Sequence, residues 1–470
     1  MIADLSNKLV HSILVLMLSH FLGVVALGSY SVAHTFFSFG LMFSYWGFGN
    51  LLTREIAREK KSYNKYFINF SAIRIVFALL AIVAINLIVL NLGYIEQTKS
   101  AVRIISFGIL ANTLINLIFA LFIAFEEIKY LSIISLIVNI IRLVIFFIVL
   151  SFGGNVITVS IFYTVTEFVS LIISLIFTKK LVKVFQFEID LDFCVQQIVK
   201  AFPFFWIAVL VIMDSRVEIL IISLFLDEGA VGFYTAMNTI IGGLALFSEG
   251  IRNAVFPLFA RYQIYDPDQL KKLVHILVKY ILIITLPITI IFYFLSDQIV
   301  YLLFGSDFQI TADILQITVW TFTAYTLTVV TIRLLMVHDK ESEVVISLFI
   351  SALLTIVLNI LFTSRVGLIS VAVVRLFTSY LLFIMCVLFL SKKGYQFLRI
   401  SFLFPIISGN LLFFITAYFL DAINIFIRLL LGVIVYFGII VIAKVVNTKE
   451  IKLWREVINN VFCVSHGKKN

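Results

Sequence analysis

The sequence predicts an all-α polytopic membrane protein. Of its 470 residues, 62% are hydrophobic and only 13% are charged, whereas soluble domains are roughly 45–50% apolar and about 25% charged. The apolar residues gather in long runs, each near the roughly 20 residues that cross a bilayer as a helix. This composition excludes a soluble multidomain enzyme, a disordered chain and a disulfide-stabilised secreted protein.

The apolar runs, separated by short polar breaks, are predicted to be about fourteen transmembrane helices, within a range of 12–14. They lie near residues 7–26, 30–52, 66–92, 101–125, 129–152, 156–178, 200–225, 229–251, 273–296, 311–335, 343–364, 366–391, 400–420 and 424–446. The runs are too long and too uniformly apolar for the strands of a membrane barrel, which alternate over about ten residues. Antiparallel helical hairpins are therefore expected.

Lysine and arginine residues concentrate on one side of these spans. With the N-terminus inside, the inside segments hold 26 of them and the outside segments hold 4. Because cytoplasmic loops carry an excess of Lys and Arg, both termini are predicted to be cytoplasmic. No basic block with interleaved aromatic residues forms a soluble module, so the net charge of +9 does not indicate a nucleic-acid partner.

The longest polar connection in mid-chain places six predicted helices before it and eight after it. The predicted domains are an N-terminal six-helix lobe (1–178), a cytoplasmic inter-lobe loop (179–199), a C-terminal six-helix lobe (200–391), and an extra helix pair with a basic cytoplasmic tail (392–470). The two lobes are expected to be pseudo-symmetric bundles around a central cleft.

A weak internal repeat supports the two-lobe prediction. At an offset of 204 residues, FLGVVALGSYSVAH (21–34) and FLDEGAVGFYTAMN (225–238) share five identical residues, including Gly28 and Gly232. Copies with the same orientation imply parallel repeats related by an axis along the membrane normal. Transporters built in this way bind their substrate near the midplane, between the repeats.

Four segments carry a family resemblance, because their glycine and apolar spacings occur in a characteristic order. These are the segment from HFLGVVALGSYSVAH to REIAR (20–58), VGFYTAMNTI with FPLFAR (231–261), LLFGSDFQITADILQITVW (302–320) and NILFTSRVGLISVAVV (359–374). Together they resemble the Wzx-type O-antigen and polysaccharide repeat-unit flippases of the multidrug/oligosaccharidyl-lipid/polysaccharide exporter superfamily.

The resemblance implies a flippase of the bacterial cytoplasmic (inner) membrane. Its substrate would be an undecaprenyl-diphosphate-linked oligosaccharide, an O-antigen or capsule repeat unit, carried by alternating access to the outer face. Implied partners are the lipid bilayer and the polysaccharide polymerase and chain-length machinery. Family members with twelve helices are common, so the resemblance also leaves the last predicted pair open.

Several charged residues fall inside the predicted spans, where a charge is costly and usually faces the bundle interior. They are Arg74, Arg142, Glu167, Asp214, Arg216, Glu218 and Arg375. Arginine binds phosphate through two parallel hydrogen bonds and keeps its charge when buried. The candidate substrate contacts are therefore Arg142, Arg216 and Arg375. Arg74 is a further candidate substrate contact, expected nearer the inner mouth, where it would meet the headgroup first.

Two polar residues near Arg142 in the predicted bundle leave open whether it contacts substrate or forms a structural ion pair. Asn139 lies three residues from Arg142, on the same helix face, and is a further candidate substrate contact. Arg142 and Glu167, on adjacent helices, are equally suited to a structural ion pair.

Two acidic residues four positions apart suggest ion coupling. Asp214 and Glu218 share one helix face, where they would bind H⁺ or Na⁺ or instead pair with arginines of neighbouring helices. No other cofactor is expected, because the three cysteines are widely separated and no metal-ligand spacing occurs. No Walker A, G-x-S-x-G or H-E-x-x-H motif is present, so the chain is not predicted to be an enzyme.

Three alternative functions remain from the sequence. A drug or small-molecule exporter of the same superfamily is expected to have an acidic cleft, which the excess of arginine disfavours. A lipid II flippase would transport a related substrate. A membrane polymerase or ligase of lipid-linked sugars is the weakest alternative, because such enzymes need a large outside loop with catalytic residues.

Overall fold

The structure is a computed structural model that describes most of the chain up to residue 446. It covers residues 2–446 apart from 180, 182–186, 392, 396, 398–399 and 422, together with Glu450. These residues form helices and short connections and contain no β-strand. Helices satisfy their own backbone hydrogen bonds, which hydrocarbon cannot do for them. The predicted all-α fold class is therefore confirmed.

Sixteen α-helices follow one another along the described part of the chain. They are α1 (Ile2–Tyr45), α2 (Phe48–Arg58), α3 (Tyr63–Asn91), α4 (Glu96–Ala124), α5 (Ile128–Ser151), α6 (Val156–Thr178), α7 (Leu191–Phe225), α8 (Glu228–Tyr265), α9 (Pro267–Phe294), α10 (Ser296–Phe304), α11 (Gln309–Thr318), α12 (Thr321–Val337), α13 (Glu341–Val366), α14 (Leu368–Ser391), α15 (Ile400–Phe419) and α16 (Ile425–Ile442).

Helix α1 folds back on itself at Gly23, which has a positive φ of 79° and a ψ of −173°. A continuous helix would separate His11 and His34 by about 35 Å, at 1.5 Å per residue. Their ring centroids are 5.8 Å apart, so residues 2–22 and 24–45 are two arms of a hairpin. The first two predicted spans correspond to these arms, and the turn falls at residue 23 rather than between residues 26 and 30.

The second predicted span ends earlier than expected. Trp46 and Gly47 both have positive φ values, 43° and 76°, and they interrupt the helix before residue 52. Helix α2 then buries Leu51 and Leu52 completely and leaves Arg58 exposed. An amphipathic helix of this kind typically lies along a surface rather than crossing a membrane.

Twelve helices in the described residues are long and apolar enough to cross a membrane, or up to thirteen if a bent pair is one span. The bent pair joins Ser306–Thr318 to Thr321–Val337 at an angle of 48°. The hairpin of α1 is one of the twelve. The total of fourteen crossings, the sidedness of the termini and the lobe boundaries stay predictions.

The described chain divides into two compact units. The first consists of residues 1–240, 301–311 and 355–371, and the second of residues 241–300, 312–354 and 372–470. The first unit contains α1 to α7 and the beginning of α8, whereas α9, α15 and α16 lie in the second.

Within the first unit, α1 and α8 cross at the two glycines of the internal repeat. A Cβ atom on Gly28 would lie 1.6 Å from the carbonyl oxygen of Glu228, and one on Gly232 would lie 2.2 Å from that of Val24. The 204-residue offset relates Gly28 to Gly232 and Val24 to Glu228, so each contact is the counterpart of the other. The repeat therefore preserves the close approach of two backbones, which only glycine permits.

The start of α7 is anchored to α3. Asp190 accepts a hydrogen bond from the Phe193 amide, 2.9 Å away, and pairs with Lys65 at 3.1 Å. The buried Asn69 accepts a hydrogen bond from the Asp190 amide at 2.8 Å. This N-cap begins α7 at Leu191, so the residues from 191 to 199 are helical rather than part of the predicted loop. The predicted tail beyond Glu450 lies outside the described residues.

We expect Gly28→Ala to lower the melting temperature of the detergent-purified protein, because the added methyl group overlaps a backbone oxygen. Overpacking typically costs about 1–3 kcal/mol. Gly242→Ala is the matched control, since a Cβ there meets no atom within 4 Å. Scanning fluorimetry measures both variants, and equal melting temperatures would contradict the close approach.

We also expect the Asp190 cap to depend on pH. The Phe193 amide and Lys65 lower the pKa of the Asp190 carboxyl, so the cap is present at neutral pH and is lost as the pH falls through that lowered pKa. Asp190→Ala should speed hydrogen exchange in the first turn of α7 at neutral pH, whereas Asp192→Ala should not. Identical exchange in the two variants would exclude a capping role.

Candidate functional site

A polar cavity of about 640 Å³ lies inside the first unit. Its lining comes from α1, α2, α4, α5, α6 and α7. The charged, histidine and amide side chains in this lining are Asn7, His11, His34, Asn50, Asn112, Asn116, Asn139, Arg142, Glu167 and Arg216. Polar side chains on membrane helices face such interiors because exposure to lipid is costly.

Arg142 and Glu167 form an ion pair in the cavity wall. The Arg142 Nη2 atom donates to Glu167 Oε1 at 2.7 Å, and Nε donates to the Thr166 hydroxyl at 3.0 Å. The guanidinium carbon lies 4.6 Å from the centroid of the Tyr163 ring. Both charged side chains are largely buried, with exposed fractions of 13% and 4%. Arg142 therefore forms the predicted ion pair and also lines the cavity, while its role as a substrate contact stays a prediction.

A chain of hydrogen bonds extends from Glu167 across α4 to α1. Asn112 donates to the second carboxylate oxygen of Glu167 at 2.7 Å. The Tyr45 hydroxyl donates to the Asn112 carbonyl oxygen at 2.5 Å, and the Asn116 amide donates to Tyr45 at 2.5 Å. Both carboxylate oxygens of Glu167 thus have partners inside the protein. These contacts hold the carboxylate in place.

Arg74 lies behind this network rather than at an open mouth. Its exposed fraction is 1%, its Nε donates to Thr113 at 3.2 Å, and its guanidinium lies 4.7 Å from the Tyr45 ring centroid. It does not line the cavity. Its positive charge nevertheless adds to the field of the interior, because no described carboxylate forms an ion pair with it.

Asn139 and Arg216 both line the cavity, as the sequence led us to expect of substrate contacts. The Asn139 amide donates to the Asn7 side chain at 2.6 Å, which joins α5 to the first arm of α1. Arg216 extends from α7, and no described carboxylate forms an ion pair with it. The structure thus brings Arg142, Arg216 and Asn139 together.

Of the two acidic candidates for ion coupling, Glu218 does not line the cavity. Glu218 is buried and accepts a hydrogen bond from the Tyr234 hydroxyl. Asp214 lies on the same helix, but its side chain lies outside the described part of the chain. Arg375 belongs to α14 in the second unit. The functional roles of all three stay predictions.

The second unit contains a charged cluster that the sequence analysis missed. Glu249 pairs with Arg252 and accepts a hydrogen bond from the Tyr325 hydroxyl at 3.2 Å. Arg333 lies with its guanidinium carbon 5.2 Å from the Phe256 ring centroid. The predicted span ended at residue 251, but α8 continues to Tyr265. Because Arg252 and Asn253 form a polar break directly after residue 251, the apolar run carried no signal that the helix continues.

Within the described residues, no group of three or more His, Cys, Asp or Glu side chains is arranged to hold a metal ion. The side chains that line the cavity supply hydrogen-bonding groups and charge. Arginine, amide, hydroxyl and imidazole groups surround a space large enough for a small polar ligand, since small-molecule pockets measure about 300–1,000 Å³.

Solved structures with this fold are membrane transporters and flippases. Lipid II flippase MurJ in an inward closed conformation has a TM-score of 0.75 and 18% identity, with coverage of 93% of this chain and 97% of that chain. An inward-facing multidrug resistance MATE family transporter of the MOP superfamily has a TM-score of 0.66 and 13% identity, covering 82% and 94% of the two chains. At these identities the similarity establishes the fold.

Sequence comparison supports the same assignment. The model of the polysaccharide biosynthesis protein family matches residues 1–263, and that of lipid II flippase MurJ matches residues 219–448. An uncharacterized membrane protein of Methanocaldococcus jannaschii is 23% identical over 247 residues, which are 48% of each chain. The chain thus spans about half the length of this curated relative.

The first family match covers more than half of the chain, and the second is to a flippase family, whose members are not enzymes. The prediction of a non-enzymatic membrane protein is therefore confirmed. The chain belongs to the polysaccharide biosynthesis protein family, and its fold is that of the solved MurJ flippase and MATE transporter structures.

Proposed function

We propose that the protein flips an undecaprenyl-diphosphate-linked oligosaccharide, an O-antigen or capsule repeat unit, across the bacterial cytoplasmic membrane. The observation that carries this proposal is the excess of positive charge around the cavity of the first unit. Both termini would be cytoplasmic, and transport would proceed by alternating access. The polysaccharide polymerase and the chain-length machinery would receive the product outside.

The charges around the cavity suit a diphosphate. Arg142 and Arg216 line it, Arg74 lies behind it, and Glu167 is the one carboxylate in the described lining. Three guanidinium groups and one carboxylate leave two positive charges. A diphosphate diester carries two negative charges, and arginine binds phosphate oxygens in a bidentate manner. Charge compensation would therefore lower the cost of taking the headgroup out of water.

The remaining lining suits the sugars. Asn112, Asn116 and Asn139 present amide groups, and Tyr30 and Tyr163 present aromatic surface at the same cavity. Amide groups can both donate to and accept from sugar hydroxyls. A cavity of about 640 Å³ holds a headgroup with few sugars, so the isoprenoid tail would remain in the bilayer.

A lipid II flippase is the second candidate, because the MurJ family model matches residues 219–448. Lipid II also joins an isoprenoid to a sugar through a diphosphate, so the cationic cavity does not separate the two substrates. A drug exporter fits less well, since the described lining has more arginine than carboxylate. Coupling to an H⁺ or Na⁺ gradient through Asp214 and Glu218 remains part of the proposal.

We expect Arg216→Gln to reduce binding of a soluble substrate analogue, citronellyl-diphosphate-glucose, by about tenfold to a hundredfold. This range corresponds to the loss of one charge-assisted hydrogen-bond partner, about 1.5–3 kcal/mol. Calorimetry on the protein in nanodiscs measures the affinity. Arg365→Gln is the matched control, because Arg365 is exposed on α13 and does not line the cavity.

Replacing Arg142 alone would leave Glu167 buried without its partner, which typically costs about 3–5 kcal/mol in stability. The double variant Arg142→Gln/Glu167→Gln removes the charges together. We expect it to fold, to bind the analogue more weakly and to export less polysaccharide in cells. Normal binding by both this variant and Arg216→Gln would exclude the cavity as the diphosphate site.

A further inference from the structure

Two histidine rings face each other across the hairpin of α1, and the function proposed above gives them no role. His11 lies on the first arm and His34 on the second, with ring centroids 5.8 Å apart. Both residues line the cavity. They therefore meet at the place where the proposed anion would bind.

One ring nitrogen of His34 has unused hydrogen-bonding capacity. Its Nε2 lies 3.3 Å from the Tyr163 hydroxyl, whereas its buried Nδ1 has no hydrogen-bond partner among the described residues. In one neutral tautomer Nδ1 is an unpaired acceptor, and in the other it is an unpaired donor. A buried polar atom without a partner is unfavourable, so a ligand that forms a hydrogen bond with Nδ1 would be stabilised at this position.

The charged groups around the pair come from three neighbouring helices. Arg142 extends from α5, Glu167 from α6 and Arg216 from α7, and all three line the same cavity as the two rings. Tyr163 of α6 and Tyr30 of the second arm are the titratable neighbours, with ring centroids 5.6 and 6.1 Å from that of His34. Because the two arginines outnumber the one carboxylate in this lining, a further positive charge on the rings is disfavoured before an anion binds.

A bound diphosphate would reverse this balance. The three charged groups that line the cavity beside the rings, Arg142, Arg216 and Glu167, leave one positive charge. The two negative charges of the diphosphate would change this to one negative charge, so that a proton on a histidine ring would be attracted rather than repelled. We propose that His11 and His34 are anion-contacting residues, and that the pair takes up one proton from water when a sugar diphosphate diester binds. The protonated ring and the N–H group of the neutral ring then donate hydrogen bonds to phosphate oxygens. This inference rests on the proposed function, because it requires the anion to occupy the cavity.

The linkage has a definite sign. A ligand that binds together with a proton binds more tightly as the pH falls, and the slope of log affinity against pH equals the number of protons taken up. A phosphodiester does not titrate near neutral pH, so citronellyl-diphosphate-glucose reports only on the protein. Because the pair takes up one proton, we expect the affinity for this analogue to rise by up to about tenfold for each unit that the pH falls between pH 8 and pH 6.

Isothermal titration calorimetry of the full-length protein in nanodiscs tests the proposal. Titrations at pH 7 in buffers with different ionisation enthalpies count the protons taken up on binding of citronellyl-diphosphate-glucose. We expect net uptake in the wild type and no uptake in the double variant His11→Gln/His34→Gln, since glutamine keeps hydrogen-bonding groups but does not protonate. His20→Gln is the matched control, because His20 is exposed and does not line the cavity.

The outcomes separate this inference from the function on which it rests. Binding by the wild type without proton uptake, or unchanged uptake in the double variant, would overturn the histidine role and leave the flippase proposal intact. Absence of binding by the wild type at every pH would overturn both. If the double variant has a lower melting temperature than the wild type in scanning fluorimetry, the single variant His11→Gln is titrated instead. A reduced proton count would support the histidine role, and an unchanged count would overturn it.

Discussion

The ion pair between Arg142 and Glu167 organises the polar interior of the first unit. It joins α5 to α6, and its carboxylate continues through Asn112 and Tyr45 to α4 and α1. In a low-dielectric surrounding, each of these groups would be costly without its partner. The pair thus keeps one carboxylate neutralised and fixed, so the other arginines of the interior remain available to an anion.

The packing of α1 against α8 imposes a second constraint of a different kind. Membrane helices gain little from apolar burial against lipid and associate instead through close contact of small residues. Gly28 and Gly232 allow each backbone to approach the carbonyl oxygen of the other helix. This close approach gives a physical reason for glycine at both positions, 28 and 232, although most of the aligned residues of the short repeat differ. Apolar side chains can vary there, whereas an added methyl group cannot be accommodated.

The two lines of comparison describe different aspects of the chain. The polysaccharide biosynthesis match begins at residue 1, the MurJ match covers 219–448, and the solved structures establish the MOP fold. A shared fold does not specify a ligand, because function depends on the residues placed in the site. In the function proposed above, the arginine-rich cavity in the first unit is therefore the feature that favours a carrier of anionic lipid-linked sugars over a drug exporter.

The sequence by itself determined the helical membrane fold, since long apolar runs in lipid have no other way to satisfy their backbone. It also identified Arg142 and Arg216 as candidate substrate contacts, because a charged residue inside a span needs a functional or structural partner. Only the tertiary structure decided which of these charges meet. Spacing along one helix cannot show that α1 turns at Gly23 and brings His11 to His34, that Arg74 lies behind Tyr45, or that Arg252 lies within α8. Those relations depend on contacts between residues far apart in the sequence and on where each helix ends. A run of apolar residues shows that a helix forms, but it does not show where the helix stops or which helix packs against it.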